Sequence, residues 1–364
     1  MGKKKVLIDL YSLENPFCGF GQIAVNYARL FADVQRSGKE NFDIVFMLPD
    51  CYRHQSLDEF EGVECVFKDT KIHHMLHIVP NKLPQVDLWH SINQYCRTYP
   101  EASQTKLIYT IHDLNFLFEE EAPSVQNHVR DLQSRVDRAA CVTFISHYAE
   151  DISKLHLNLR NKDTRVIYNG VENLTERPCK MPDFVKKGKP FFFCIGQFLE
   201  KKKFHLLVDV MKSFPDTELY MCGECHTSYG LEIIKKLVVQ GIENITVVSN
   251  IPDEERIWLY KNCQAYMFPS TGEGFGLPMI EAMQFGKPIF ISKAQSLPEI
   301  SGGNAFIWKD LTTETMVSTI KEGLEAFHKD KEAPQRLIAY ANEFSYQKHV
   351  DSYLQLYREL LEKK

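Results

Sequence analysis

The residue types best suited to chemistry are concentrated in one stretch, Pro269-Ser-Thr-Gly-Glu-Gly-Phe-Gly-Leu-Pro-Met-Ile-Glu-Ala-Met-Gln-Phe-Gly-Lys-Pro288. Gly272, Gly274 and Gly276 alternate, so the backbone can take turns closed to other residues and a ligand can approach the main chain. Pro278 suits the first turn of a helix, and Gly286 with Pro288 ends it. The apolar run Ala265–Phe268 comes just before. The pattern predicts a strand, a glycine-rich loop and a helix N-terminus, where free N–H groups and the positive helix end can receive a phosphate. Two carboxylates flank this corner, Glu273 in the loop and Glu281 about one turn into the helix. A carboxylate repels phosphate, so both are suited to accept hydrogen bonds from sugar or ribose hydroxyls. The plain alternative for each is a surface charge; the surrounding glycines favour function.

Other candidates are more dispersed. Lys201–Lys203 follow Ile195-Gly196 and read either as cations for a phosphate or as a solvated turn. His112 ends the run Leu107–Ile111, at the carboxyl end of an expected strand, with Asp113 beside it to orient the ring; a satisfied core histidine is the alternative. His90 ends a strand candidate and Ser146 follows one. His90 is a candidate for the acceptor side. Gly19-x-Gly21-x-x-Ala24 formally fits a dinucleotide fingerprint, but eight residues separate Leu10 from Gly19, whereas that fingerprint follows its strand directly. Cys222-Gly-Glu-Cys225 lacks the further ligands of a zinc site, and His73, His74 and His77 lack a completing carboxylate or thiol. No Asp-x-Asp occurs, so a divalent metal on a diphosphate has no obvious holder.

These residues need a scaffold that presents strand ends. Strand candidates are Lys5–Leu10, Phe42–Leu48, Glu64–Phe67, Asp87–His90, Lys106–Ile111, Cys141–Ile145 and Arg165–Tyr168. A second series runs Pro190–Ile195, Glu218–Met221, Ile245–Val248, Ala265–Phe268 and Pro288–Ile291. Helical patterns such as Gln22–Ala32 and Ser124–Ala139 lie between them, and the alternation implies buried parallel sheets. Pro178, Pro182, Gly188, Pro190 and the lysines between them give residues 172–190 the composition of a linker. The expected organisation is an N-terminal Rossmann-like domain over 1–171, a linker over 172–189 and a C-terminal Rossmann-like domain over 190–344. A Tyr-rich helix over 345–364 either packs on the second domain or crosses back to the first. In open α/β sheets, ligands bind beyond the carboxyl ends of the strands.

Composition narrows the classes. With 43 Lys+Arg against 48 Asp+Glu, a net charge of −5 excludes the basic surplus of a dedicated nucleic-acid binder. No apolar run approaches the roughly 20 residues of a membrane span. The stretch after Lys3-Lys4-Lys5 is broken by Asp9 and reads as a strand, not a signal peptide. Scattered cysteines inside apolar runs fit a reduced compartment.

The 269–288 segment resembles the signature of retaining family-4 glycosyltransferases of the GT-B fold (glycosyl transferases group 1): Glu, seven residues, Glu, around Gly-Phe-Gly-Leu-Pro. Weaker features extend the resemblance over nearly the whole chain: Gly19-Phe20-Gly21, His112-Asp113, Tyr168-Asn169-Gly170-Val171, Ile195-Gly196 with Lys201–Lys203, and Leu297-Pro298-Glu299-Ile300. The resemblance implies an α/β GT-B fold, two doubly wound Rossmann-like domains with parallel sheets facing across a cleft. It implies a retaining, metal-independent transferase moving a hexose-type sugar from a nucleotide diphosphate sugar to a glycan or lipid-linked acceptor in surface polysaccharide biosynthesis. In it Glu281 holds ribose hydroxyls and Glu273 hydroxyls of the transferred sugar. Gly274 and the amides of Phe275, Gly276 and Leu277 touch diphosphate or sugar. Lys202, six residues after Gly196, binds diphosphate, Gly19 and Gly21 form a loop that closes on it, and His112 lies near the sugar. Gln197 stands where the family usually has Arg, which removes a bidentate cation for which Lys201 or Lys203 could substitute. His112, Glu273 and Lys202 are thus the catalytic candidates. No cofactor or metal is implied, the nucleotide sugar being a substrate.

Rival readings are a nucleotide-sugar epimerase or phosphorylase on the same fold, or a non-catalytic nucleotide-sugar binder. The expected location is cytoplasmic, with weak peripheral contact at the inner membrane face as an option that Lys3–Lys5 would serve at ~1 kcal/mol per charge.

Overall fold

Runs such as Val6-Leu-Ile8 are apolar on both faces, and a strand of this kind is stable only when helices cover both sides of its sheet. The structure, a computed structural model, describes residues 2–16, 19–68, 84–96, 100, 104–119 and 121–363. His73, His74 and His77 lie outside the described residues. The chain divides into two units, residues 1–168 with 346–364, and residues 169–345.

In unit 1, the described strands are β1 (Lys4–Asp9), β2 (Phe42–Pro49), β3 (Glu64–Lys68), β4 (Leu88–Ser91), β5 (Lys106–Ile111), β6 (Cys141–Phe144) and β7 (Asp163–Val166). They pair in parallel in the order β3-β2-β1-β4-β5-β6-β7. Alternate residues feed two cores. Val6, Ile8, Ile44 and Phe46 pack under the helices Gly19–Ser37 and Tyr346–Glu362. Leu7, Val45, Trp89 and Tyr109 pack on the other face with Leu132 and Val136 of helix Ala122–Arg138.

Unit 2 holds β8 (Phe191–Ile195), β9 (Glu218–Cys222), β10 (Ile245–Val248), β11 (Ala265–Phe268), β12 (Ile289–Ser292) and β13 (Phe306–Trp308). They run in the parallel order β10-β9-β8-β11-β12-β13. Strand order reverses direction at β8/β11, so the carboxyl ends of these two strands flank a natural crevice. Gly196 follows β8 and the glycine-rich loop follows β11.

Several local expectations shift. β7 begins two residues earlier than Arg165, and the three-residue β13 was not anticipated, being too short to show a pattern. The lysine-rich stretch before β8 is strapped to unit 2 and is not a free linker. Lys186 and Lys189 place their amines 2.8 and 3.3 Å from the buried Glu218 carboxylate, and Lys180 N donates to Glu254 O at 3.0 Å.

The Tyr-rich helix Tyr346–Glu362 belongs to unit 1, burying Val350, Tyr353, Leu354, Tyr357, Leu360 and Leu361. Among the described residues no helix is long and apolar enough to cross a membrane. The basic start of the chain is locally compensated: Lys3 lies 3.7 Å from Asp43, Lys5 2.5 Å from Glu64, and the Lys4 amine donates to Leu361 O.

Candidate active site

The switch point of unit 2 is built by main chains in close approach. Gly196 N donates to Cys222 O at 3.0 Å. Gly223 then passes so near that a Cβ on it would lie 2.0 Å from Gly196 O, at φ +127°. Sequence reading overlooked Gly223, although a glycine directly after a buried strand is the same signal that flagged Gly196. Gly223→Ala should therefore destabilise unit 2 by about 2 kcal/mol or more, through overlap plus a backbone conformation unfavourable to Ala. An unchanged melting temperature would contradict this close approach.

Beyond Gly196 the chain makes a 3-10 turn, Glu200–Lys202, which Lys203 leaves in the left-handed region at φ +53°. The turn is fastened to the glycine-rich loop: Lys201 O accepts from Thr271 N at 2.7 Å and from the hydroxyls of Thr271 and Ser270 at 3.2 and 3.3 Å. A Cβ on Gly272 would stand 3.0 Å from Lys201 Cδ, so the Lys201 side chain lies close against the loop main chain.

This staple brings the two main sequence candidates together. Lys202 Nζ lies 2.5 Å from Glu273 Oε1, with the side chains only 13% and 12% exposed, and 5.3 Å from the centroid of the Phe268 ring. Lys202 was expected as a cation open to phosphate; here it is ion-paired with the carboxylate assigned to sugar hydroxyls. Glu273 is held by its main chain as well, its N–H donating to Gln295 Oε1 at 2.6 Å and its carbonyl accepting from Ser296 Oγ at 2.8 Å. Gln295 and Ser296 were missed, though they directly precede the Leu297-Pro298-Glu299 motif.

Gly276, at φ +96°, turns the loop into the helix Leu277–Met283. That helix is seven residues long, shorter than the sequence pattern suggested. Phe275 is buried. Glu281 projects from the second turn toward the helix Asp253–Asn262, where Arg256 Nη1 and Tyr260 OH both donate to its Oε2 at 2.8 Å. Glu281 foremost holds the Arg256 guanidinium well above its ordinary pKa. Arg256 and Tyr260 were not foreseen, because nothing in the sequence marks which helix faces Glu281. Gln197 is exposed at the end of the β8 segment.

In unit 1 the expectations need more correction. Gly19 and Gly21 do not form a loop; they are the first turn of the helix Gly19–Ser37. Gly21 is required by packing, since a Cβ there would lie 1.9 Å from Asn15 O, while Gly19 faces open space. His112 sits at the end of β5, 4% exposed, with Nε2 donating to Ile92 O at 2.8 Å and Phe20 edge-on at 5.0 Å. The carbonyl can only accept, so the proton is on Nε2 and Nδ1 keeps its lone pair. Burial pushes this imidazole down to about 4, so it is neutral near pH 7.

His90 is a core residue and not an acceptor-side group, wholly buried between Tyr357 OH at 2.7 Å and Thr110 Oγ1 at 3.0 Å. Ser146 caps the helix His147–His156 by accepting from Ala149 N. Cys222 and Cys225 are buried free thiols.

Residues 180–344 match the model of the family described as Glycosyl transferases group 1. The chain is 24% identical over 218 residues to the O-antigen chain mannosyltransferase RfbU of Salmonella typhimurium, covering 58% of this chain and 59% of that protein. It is similar in structure to sucrose-phosphate synthase from Thermosynechococcus elongatus, with TM-score 0.74 and 16% identity over 98% of this chain and 99% of the other. Anabaena HepE, in complex with UDP and glucose, gives a TM-score of 0.72 at 18% identity over 98% of this chain and 100% of that one. The chain spans between 34% and 59% of the length of the first curated relatives it matches. The fold is α/β and of the GT-B kind, with two doubly wound Rossmann-like domains.

Proposed function

We propose, from the match of residues 180–344 to the model of the family described as Glycosyl transferases group 1, that this chain is a retaining glycosyltransferase using a nucleotide diphosphate hexose. The observation that carries the proposal is the juxtaposition of Lys202, Glu273 and the Gly272–Gly276 loop at the β8/β11 switch point, with Glu281 one helix turn further on. This corner offers a cation and main-chain amides for a diphosphate, and two carboxylates for polyol hydroxyls. The RfbU relative is named an O-antigen chain mannosyltransferase, and HepE is described with UDP and glucose; both support a sugar nucleotide as donor and a polysaccharide precursor, glycan or lipid-linked, as acceptor.

In the proposed reaction the acceptor hydroxyl oxygen bonds to the anomeric carbon while the bond from that carbon to the diphosphate oxygen breaks. Negative charge grows on the leaving diphosphate, and Lys202 with the amides of Phe275, Gly276 and Leu277 stabilises it. The hydroxyl proton passes to an oxygen of the departing diphosphate, so attack and departure share one face and configuration is retained. Glu273 binds a sugar hydroxyl and forms no covalent bond. Within unit 1, His112 keeps an Nδ1 lone pair that suits a hydroxyl donor. A metal has no step here.

The test is a thermal-shift panel of UDP, GDP and ADP with their glucose, galactose and mannose esters, followed by transfer assays on lipid-linked acceptors with and without EDTA. A stabilising donor, transfer insensitive to EDTA and an α-linked product from an α-linked donor are expected. Isomerisation of donor alone would indicate the epimerase, phosphate-dependent glycan cleavage the phosphorylase, and a covalent adduct on Glu273 a double-displacement route; each rejects the reading.

A further inference from the structure

A carboxylate that serves only to hold two helices together commonly spreads its partners over both oxygens, as in bidentate pairing with Arg. Glu281 does otherwise. Arg256 Nη1 and Tyr260 OH converge on Oε2, each at 2.8 Å, and among the described residues Oε1 has no hydrogen-bond partner. The Glu281 side chain is 17% exposed, so it is not sealed in the core.

The holders are themselves held. Arg256 and Tyr260 lie four residues apart, hence on one face of the helix Asp253–Asn262. Tyr260 is wholly buried, with its ring stacked 6.3 Å from Phe285 and edge-on to Phe193 at 5.0 Å. Its hydroxyl can therefore reach Glu281 from one direction only. Arg256 turns its Nε and Nη2 to Asp253 Oδ1 at 3.3 and 3.1 Å, which leaves Nη1 for Glu281. Two donors on one oxygen fix the plane and rotamer of the carboxylate, and the second oxygen keeps its lone pairs for a ligand.

We propose that Arg256 and Tyr260 are positioning residues that lock Glu281 with Oε1 presented to the ribose hydroxyls of the nucleotide, and so set the preference for a ribonucleotide donor. The inference rests on the reading above that a nucleoside diphosphate occupies unit 2. Tyr260 contributes orientation and Arg256 both orientation and charge. Neither touches the nucleotide, so their loss acts only on the part of affinity that depends on ribose hydroxyls.

The experiment is calorimetric titration with UDP, GDP and ADP, each beside its 2′,3′-dideoxy form, on wild type, Tyr260→Phe, Arg256→Lys and Glu281→Gln. Wild type should prefer the ribose form of its best nucleotide by about tenfold or more, the worth of a hydrogen bond to a charged group. Tyr260→Phe and Arg256→Lys should each cut that preference severalfold toward the Glu281→Gln value, with dideoxy affinity unchanged. A merely structural role would weaken both forms equally; that result, or a preference retained in both variants, overturns the proposal while leaving the nucleotide reading intact. Wild type that binds the two forms alike, or binds no nucleotide, rejects the underlying reading and the proposal with it. Arg256→Lys keeps the charge and the helix contact, so it decides the matter if Tyr260→Phe does not fold.

Discussion

Lys202→Ala is expected to lower the transfer rate by about 10²–10³-fold, the usual cost of removing one preorganised donor from a developing anion. Three features place the effect at the upper end. Lys202 is 13% exposed, so water replaces it poorly. Gln197 follows Gly196 where a guanidinium would otherwise share the charge, and it is exposed. Removal of the ammonium also strands Glu273, whose carboxylate lies 2.5 Å from it, beside the proposed diphosphate position. The variant therefore replaces an attraction by a repulsion. It follows that Glu273→Gln should restore part of the nucleoside diphosphate affinity lost in Lys202→Ala, even though Glu273→Gln alone slows transfer. Such non-additivity is the signature of two groups in contact. Single-turnover rates and nucleoside diphosphate titrations on the two single variants and the double variant measure it. A Lys202→Ala enzyme within threefold of wild type, or strictly additive effects, would show that the ammonium faces Glu273 for packing alone.

The strands were legible because their apolar runs are bounded by Gly, Pro and charged residues, and the site segment because three alternating glycines surround Glu273, with Glu281 eight residues further on. What could not be read is what depends on tertiary neighbours. Lys202 and Glu273 are brought together by the Thr271 to Lys201 staple, and no local pattern encodes that bond. Glu281 is oriented by Arg256 and Tyr260 of a different helix, whose sequence Asp-Glu-Glu-Arg-Ile-Trp-Leu-Tyr-Lys-Asn carries no periodic apolar face to show what it packs against. The loop at Gly19 and Gly21 is implied only by the family resemblance; in the structure both start a helix, where Gly21 lets the Asn15–Pro16 main chain pass. His90, within β4, and His112, just after the adjacent parallel strand β5, look alike in sequence. Their fates differ because the C-terminal helix lays Tyr353 and Tyr357 over His90.

That burial makes unit 1 acid-sensitive. His90, His112 and His349 are held neutral in the fold, all three primarily by burial, and no carboxylate is among the causes that shift them. The partners are neutral. His349 Nδ1 donates to Tyr168 O at 2.7 Å and Nε2 meets Tyr27 OH at 2.8 Å; His90 lies between Tyr357 and Thr110; His112 donates to Ile92 O. His112 and His349 are pushed down to about 4, and His90 well below its ordinary value. The unfolded chain, with imidazoles near pKa 6.5, therefore binds more protons than the fold below neutrality. Stability from these groups is complete above about pH 6.5 and is lost as pH falls toward the folded values. For His112 and His349 the loss between pH 7.5 and 5 is about 2 kcal/mol each, and His90 adds to it in the same direction. That is a large share of the 5–15 kcal/mol typical of a folded domain. Hydrogen exchange on the helix Tyr346–Glu362 and strand β5, followed from pH 7.5 to 5 and corrected for intrinsic rates, should report falling protection in unit 1. His349→Gln can still donate to Tyr168 O and accept from Tyr27 OH but cannot take up a proton, so it should flatten the pH dependence by about one histidine's share. Protection that does not change with pH, or a His349→Gln slope equal to wild type, would mean that these imidazoles can gain a proton in place, with the Tyr27, Tyr353 and Tyr357 hydroxyls rearranging to accept it.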